Sequence, residues 1–223
     1  MQPISDMNAL NNANVADCRC TGLTSFAFPR ARSSTGESVE YIQDANKKWY
    51  VFRITYGKAK QVSDFLIHEG TYSYLAMVWK DVSKDGKRRR VKMPFLNLLF
   101  VYLTESDADY YVRQSSESRY ITYYYNHFAR DKFGKNPPLT VQGEDLRSLI
   151  IVTSLDDEHV MEVELSKCRF ETDDLVLVTD GPFQGICGRV ARVARQKRVV
   201  IHIQGLDSVI TTAYIPTYCL EKL

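Results

Sequence analysis

From residue 169 to the C-terminus the chain shows no helical period at all. Leu175-Val176-Leu177-Val178, Gly188 to Val193, Val199 to Ile203 and Val209 to Tyr214 are short β-branched runs parted by turns that carry Gly, Asp or Lys/Arg. Strands so short cannot bury a face alone and must close on one another. These runs, with a fifth strand expected in the same stretch of about 55 residues, predict a small β-barrel, marginal in size but able to fold by itself.

Residues 47–153 follow a different rule. Trp49 to Tyr56 is dense in β-branched and aromatic residues and reads as a strand ended by Gly57. Val62, Phe65, Leu66 and Glu69 recur at helical spacing, with Gly70 placed as a C-terminal cap. Tyr72 to Val82 and Val91 to Leu103 read as two strands joined at Lys84-Asp85-Gly86-Lys87, whose Asp-Gly pair favours a tight hairpin. The second is nearly continuous in apolar side chains, as a strand buried on both faces would be. Ser106-Asp107 caps a short helix over 108–114, Arg119 to Phe128 is a tyrosine-rich strand, and 144–153 is a helix with Leu146, Leu149 and Ile150 on one face. This order predicts an α+β module, an antiparallel sheet with flanking helices. The acidic, aperiodic residues 154–168 read as a linker, and the Asn-, Ser- and Thr-rich residues 1–46 as a disordered leader.

Composition removes whole classes of function. Among 223 residues, 29 Lys+Arg oppose 27 Asp+Glu, so net charge marks the chain as neither a nucleic-acid nor a membrane binder, and charge must be read locally. The longest apolar stretch, Met93 to Leu103, is half a bilayer span. Five scattered cysteines form no CxxC pair and read as reduced thiols, and with no secretory leader the expected location is the cytoplasm. His68, His127, His159 and His202 fall in four separate elements, and no HExxH, Gly-x-Ser-x-Gly or phosphate-binding Gly loop appears. Asp156-Asp157-Glu158 is an acidic run in a linker, where such runs are solvated. The expectation is a protein without catalytic residues, metal or cofactor.

Local charge is more informative. The hairpin carries Lys80, Lys84, Lys87, Arg88, Arg89, Arg90 and Lys92 against Asp81 and Asp85. Lys84, Lys87, Arg88, Arg89 and Arg90 at its tip suit sequence-independent phosphate contact, and equally suit a solvated loop. Arg189, Arg192, Arg195, Lys197 and Arg198 gather around one hairpin of the C-terminal module, where neighbouring acidic residues offset them.

Thr179-Asp180-Gly181-Pro182-Phe183-Gln184-Gly185-Ile186-Cys187-Gly188-Arg189-Val190 is the most specific stretch. A strand, a Gly-Pro turn and Gly-x-x-Gly entering a second strand require glycine, because the turn needs positive φ and a side chain at Gly185 or Gly188 would clash or strain. With Gly181, Pro182, Phe183, Gly185 and Gly188, this stretch resembles the KOW motif of ribosomal proteins and transcription elongation factors. The Trp49-Tyr50 strand, the helix after it, the basic hairpin and the apolar strand are similar to the NusG N-terminal (NGN) domain. Arg198 to Leu206, Ile215-Pro216 and Leu220-Glu221 resemble the specialised UpxY-type NusG paralogues, and the resemblance spans residues 47–223.

The resemblance implies an NGN domain over 47–153, a linker over 154–168 and a KOW-containing SH3-like barrel over 169–223. It implies a cytoplasmic, monomeric, non-enzymatic antitermination or elongation factor for a surface-polysaccharide operon. RNA polymerase is the implied partner: its clamp helices would meet an apolar patch led by Phe95, with Leu98, Trp49 and Tyr123 beside it. Non-template DNA is a further implied partner, and ribosomal protein S10 or RNA would meet the barrel. The alternative is a KOW-type RNA- or ribosome-associated protein that never meets polymerase. Two departures stand out: Phe95-Leu96-Asn97-Leu98 replaces the family's Phe-Pro-Gly/Asn-Tyr, and Gln204 stands where the barrel's partner-binding aromatic is usual.

Overall fold

The computed structural model describes residues 27–223, apart from Asp85, Gly86, Asp156, Glu158, Ala194, Asp207 and Ala213. Residues 27–46, expected to be part of a disordered leader, are folded onto the protein. Strands β1 (Ala31–Arg32) and β2 (Ser38–Val39) pair antiparallel. The arm is held by aromatic contact, which the polar character of its sequence conceals. Phe28 and Tyr41 pack on Trp49, with ring centroids 5.5 and 5.6 Å away. Tyr102 clamps it further, its hydroxyl donating to the Asp44 carbonyl at 2.7 Å and accepting from the Asp44 N–H at 2.9 Å.

β3 (Lys48–Ile54) leads into helix α1 (Ala59–His68). Tyr56 and Gly57 turn the chain with φ of 55° and 67°. Gly70, at φ 74°, ends the helix by donating to the Ile67 carbonyl, as a capping glycine does. The expected strand from Tyr72 to Val82 is two. β4 (Ser73–Tyr74) stays in the sheet that contains β3, whereas β5 (Met77–Lys84) leaves for a second sheet, where it forms a hairpin with β6 (Lys87–Pro94). Lys84 pairs with Lys87, as the expected two-residue turn requires; the Asp85-Gly86 tip itself lies outside the described residues.

The apolar run from Val91 to Leu103 also divides. β6 stops at Pro94, Phe95–Asn97 makes a tight turn, and β7 (Leu98–Leu103) continues, buried at every residue. Leu96 and Asn97 both take left-handed backbone, at φ 52° and 55°. A leucine held there costs about 1–2 kcal/mol, and proline, fixed near −65°, could not adopt it. Leu96, where the resemblance would place a proline, therefore goes with a turn that proline could not build.

α2 (Glu105–Arg113) begins three residues earlier than expected, because Thr104 is the cap, its hydroxyl accepting the Asp107 N–H at 3.2 Å. β8 (Ile121–Tyr123) and β9 (Thr140–Val141) both pair with β3, so the front sheet runs β4-β7-β3-β8 with β9 beside β3. Alternation gives this sheet two buried faces. Tyr50, Phe52, Ile54, Leu99, Val101 and Leu103 pack under α1 and α2, and Trp49, Val51, Leu98, Phe100 and Tyr102 face the other way.

That second face is covered by α3 (Gly143–Ser154) and by the C-terminal strands, which share its core. The expected linker contains β10 (Met161–Glu164). It pairs antiparallel with β14 (Ser208–Thr211) and, at Met161 beside Trp79, parallel with β5. With β11 (Arg169–Val178), β12 (Cys187–Val193), β13 (Gln196–Ile201) and β15 (Leu220–Lys222), the sheet order is β15-β11-β12-β13-β14-β10-β5-β6. The protein is thus mixed α+β. Its six C-terminal strands, β10 to β15, join the β5–β6 basic hairpin in one open path of eight, where a separate closed barrel was expected. Cys168 and Cys219 are free buried thiols.

Candidate functional site

The four residues expected to form one open apolar patch do not form one. Phe95, Leu98 and Trp49 are 1%, 0% and 3% exposed and belong to the core shared with α3 and the C-terminal strands. Tyr123 lies on the opposite face. It pairs opposite Phe52 and therefore points with it toward α2, where its hydroxyl donates to Asp109 Oδ1 at 2.9 Å. Burial, with Asp109 alongside, pushes its phenol pKa upward. A run of tyrosines does not reveal pairing register, which is why the side was not legible.

What seals the Trp49–Leu98–Phe95 face is specific. The Ser148 hydroxyl of α3 accepts the Cys187 N–H at 3.2 Å. At Gly185 an added Cβ would sit 3.5 Å from the Arg147 guanidinium and 3.9 Å from Ile151. At Gly205 it would lie 2.6 Å from the Leu139 side chain, so only glycine lets that loop close on the front module. Glu162 on β10 completes the seal: it pairs with Lys80 Nζ at 2.8 Å and accepts the Leu96 N–H at 3.4 Å, reaching the strained turn beside Phe95.

The Gly-rich turn has the geometry its sequence demands. Gly181 and Gly185 both stand at φ 86°. Gly185 N–H donates to the Val178 carbonyl at 2.8 Å, and Val178 N–H to Ile186 at 2.9 Å. Gly188 lies within the β12–β13 pair, where a Cβ would meet Val199 and the Val200 carbonyl at 2.7 Å. Pro182 is exposed, and Phe183 is buried in the shared core. This turn serves packing against α3 as well as its own hairpin.

Of the hairpin cations, Lys80 is paired as above, Arg90 Nε meets Asp81 at 3.1 Å, and Lys92 lies over the Trp79 ring at 6.0 Å. Arg89 is exposed. Lys84, Lys87 and Arg88 belong to the paired strands by their backbone, and their side chains lie outside the described atoms. Gln204 is exposed beside Gly205. Among the described residues no group of His, Cys, Asp and Glu is placed to hold a metal ion, and no helix is long and apolar enough to cross a membrane.

One carboxylate is out of balance. Burial, helped by neighbouring Glu144, pushes the Asp145 pKa up to about 6, above the ordinary aspartate value. The folded state then binds more protons than the unfolded chain between about pH 4 and 6, so stability falls as pH rises through that window. Asp145→Asn is expected to raise stability at pH 7.5 by up to about 2 kcal/mol. Urea titrations at pH 4 and 7.5 check this: the gain should be confined to the higher pH.

No protein-family profile matches the chain, and no curated protein is detectably similar to it.

Proposed function

We propose that this chain is a non-enzymatic transcription elongation or antitermination factor of the NusG-like, UpxY type. In this reading residues 47–153 act as an NGN domain that grips the clamp helices of RNA polymerase in the cytoplasm and reduces pausing or termination, with a surface-polysaccharide operon as target. The C-terminal strands act as the KOW-bearing module. The observation that carries the reading is the turn from Thr179 to Gly188, with two glycines at φ 86° and a third closed to any side chain, downstream of a sheet with an aromatic face at Trp49.

Because α3 and the C-terminal strands cover that face, the proposal includes a release step: polymerase selects a state in which those strands have moved away. Glu162 is the point at which to bias it. Glu162→Lys sets two ammonium groups together and removes the acceptor of the Leu96 N–H, so it should favour release. The swap Lys80→Glu with Glu162→Lys restores the ion pair. Full-length wild type, single variant and swap are compared for capture of core RNA polymerase. Severalfold greater capture by the single variant, reversed in the swap, is expected. No capture by any of the three discards the function, and equal capture discards the release step.

A second reading is a KOW-type RNA- or ribosome-associated protein. Arg192 stands directly opposite Lys197 on the β12–β13 hairpin, so two cations share one face of it. Co-sedimentation with ribosomes, together with no capture of polymerase, would favour this alternative.

A further inference from the structure

The loop from Tyr125 to Pro138 displays three exposed aromatic rings, of which Tyr125 keeps an edge contact with Tyr123 at 6.1 Å. Phe133 is 75% exposed, Phe128 55% and Tyr125 45%. The loop is nevertheless well tied. Asn126 Oδ1 accepts the Phe128 N–H at 3.0 Å, and Asp131 Oδ1 accepts the N–H groups of Phe133 and Lys135, both at 2.8 Å. Asn136 Nδ2 donates to the carbonyls of Asn126 at 2.7 Å and Ala129 at 3.2 Å, while Arg130 donates to Gly134 and to Asn136 Oδ1, each at 3.1 Å. Polar groups fix the backbone, and the rings are left in solvent. Exposing a Phe forgoes the apolar burial that ordinarily holds it inside, so three such rings on one ordered loop call for an occupant.

The charge identifies its chemistry. Between Tyr125 and Pro138 stand Arg130, Lys132 and Lys135 against Asp131 alone, and the Asp131 carboxylate is engaged with two backbone donors. Lys132 Nζ lies over the Phe133 ring, 5.1 Å from its centroid, placing a cation beside that ring. Exposed flat rings interleaved with cations match unpaired bases joined by phosphates, because every base offers a π-face and every linkage a negative charge. Duplex offers only its backbone to such a loop.

We propose that the 125–136 loop is a binding site for single-stranded nucleic acid, with Phe128 and Phe133 as stacking platforms and Lys132 and Lys135 as phosphate contacts. The site is independent of the polymerase reading and separate from the basic hairpin. Preformed backbone means that little ordering cost opposes binding.

The test measures anisotropy of labelled dT12, U12 and a 12-base-pair duplex with the full-length protein at about 50 and 200 mM salt. Phe128→Ala with Phe133→Ala should weaken single-strand binding by about tenfold or more, since each stacked base contributes roughly 1–3 kcal/mol. The salt slope should be unchanged. Lys132→Ala with Lys135→Ala should weaken binding and reduce that slope by about 1.4, two contacts at roughly 0.7 each. Both pairs are exposed, so thermal midpoints should stay within about 2 °C of wild type. Tighter dT12 assigns DNA and tighter U12 assigns RNA, either one supporting the site. No binding of either strand, or an aromatic double variant that binds as wild type, overturns it and leaves the rings as a protein-docking patch.

Discussion

Replacing Phe95 by Ala should destabilise the protein by about 3–5 kcal/mol, the usual range for emptying a buried aromatic site. Phe95 is 1% exposed and shares a core with α3 and the C-terminal strands. If that face were open in solution, the same substitution would move stability by no more than about 0.5 kcal/mol. Urea unfolding of the full-length variant therefore reports directly on whether the covered arrangement is the populated one. Phe95→Asp would do worse, since it places a carboxylate among apolar side chains with no counter-ion. It is unsuitable as a binding control, because lost capture of polymerase would then reflect unfolding. Phe95→Leu keeps most of the volume and should cost less than about 1.5 kcal/mol.

Arg198→Met is the second large effect. The residue is 7% exposed, and its guanidinium donates through Nη1 to the carbonyls of His159 and Thr212 at 2.9 and 2.8 Å, and through Nη2 to Gln196 Oε1 at 2.9 Å. Burial lowers its pKa while nearby Asp157 raises it, so the cation is held in a partly desolvated place. Removing it takes a charged donor from two carbonyls, and a loss of about 3 kcal/mol is expected, with a thermal midpoint lowered by roughly 10 °C. The His159 bond makes a local effect predictable too. Arg198 ties the segment after α3 to the C-terminal sheet, so limited proteolysis should cut near residues 155–160 faster in the variant. An unchanged cleavage rate would refute that anchoring role.

The parts of the fold that the sequence announces are those with local causes. α1 and α3 follow from spacing, Gly70 from its cap, and the β5–β6 hairpin from Asp85-Gly86 between two β-rich runs. Pro94 held a signal that the apolar run around it outweighs: proline cannot donate to a ladder, and the strand breaks there. Met161-Glu162-Val163-Glu164 alternates as a strand should, but four residues after a run of Asp and Glu read as a continuation of the linker. Non-local features were beyond reach. Nothing in the spacing of Trp49, Leu98 and Phe95 tells whether a second sheet lies on their face, and nothing in Tyr123-Tyr124-Tyr125 fixes which ring turns inward. The aromatic arm was hidden for another reason: Phe28 and Tyr41 are isolated among polar residues, and only Trp49, Tyr72 and Tyr102, distant in sequence, give them a place.

The terminal position of β6 in the eight-stranded sheet has a colloidal consequence. An outermost strand presents a row of unsatisfied backbone groups, on which a second molecule can add a strand and begin a fibril. Here that row carries Lys87, Arg88, Arg89, Arg90 and Lys92 within eight residues. Two such borders brought together would repel. Whatever else these cations contact, they keep concentrated protein dispersed at low ionic strength, and a neutralised border would be the place from which precipitation starts.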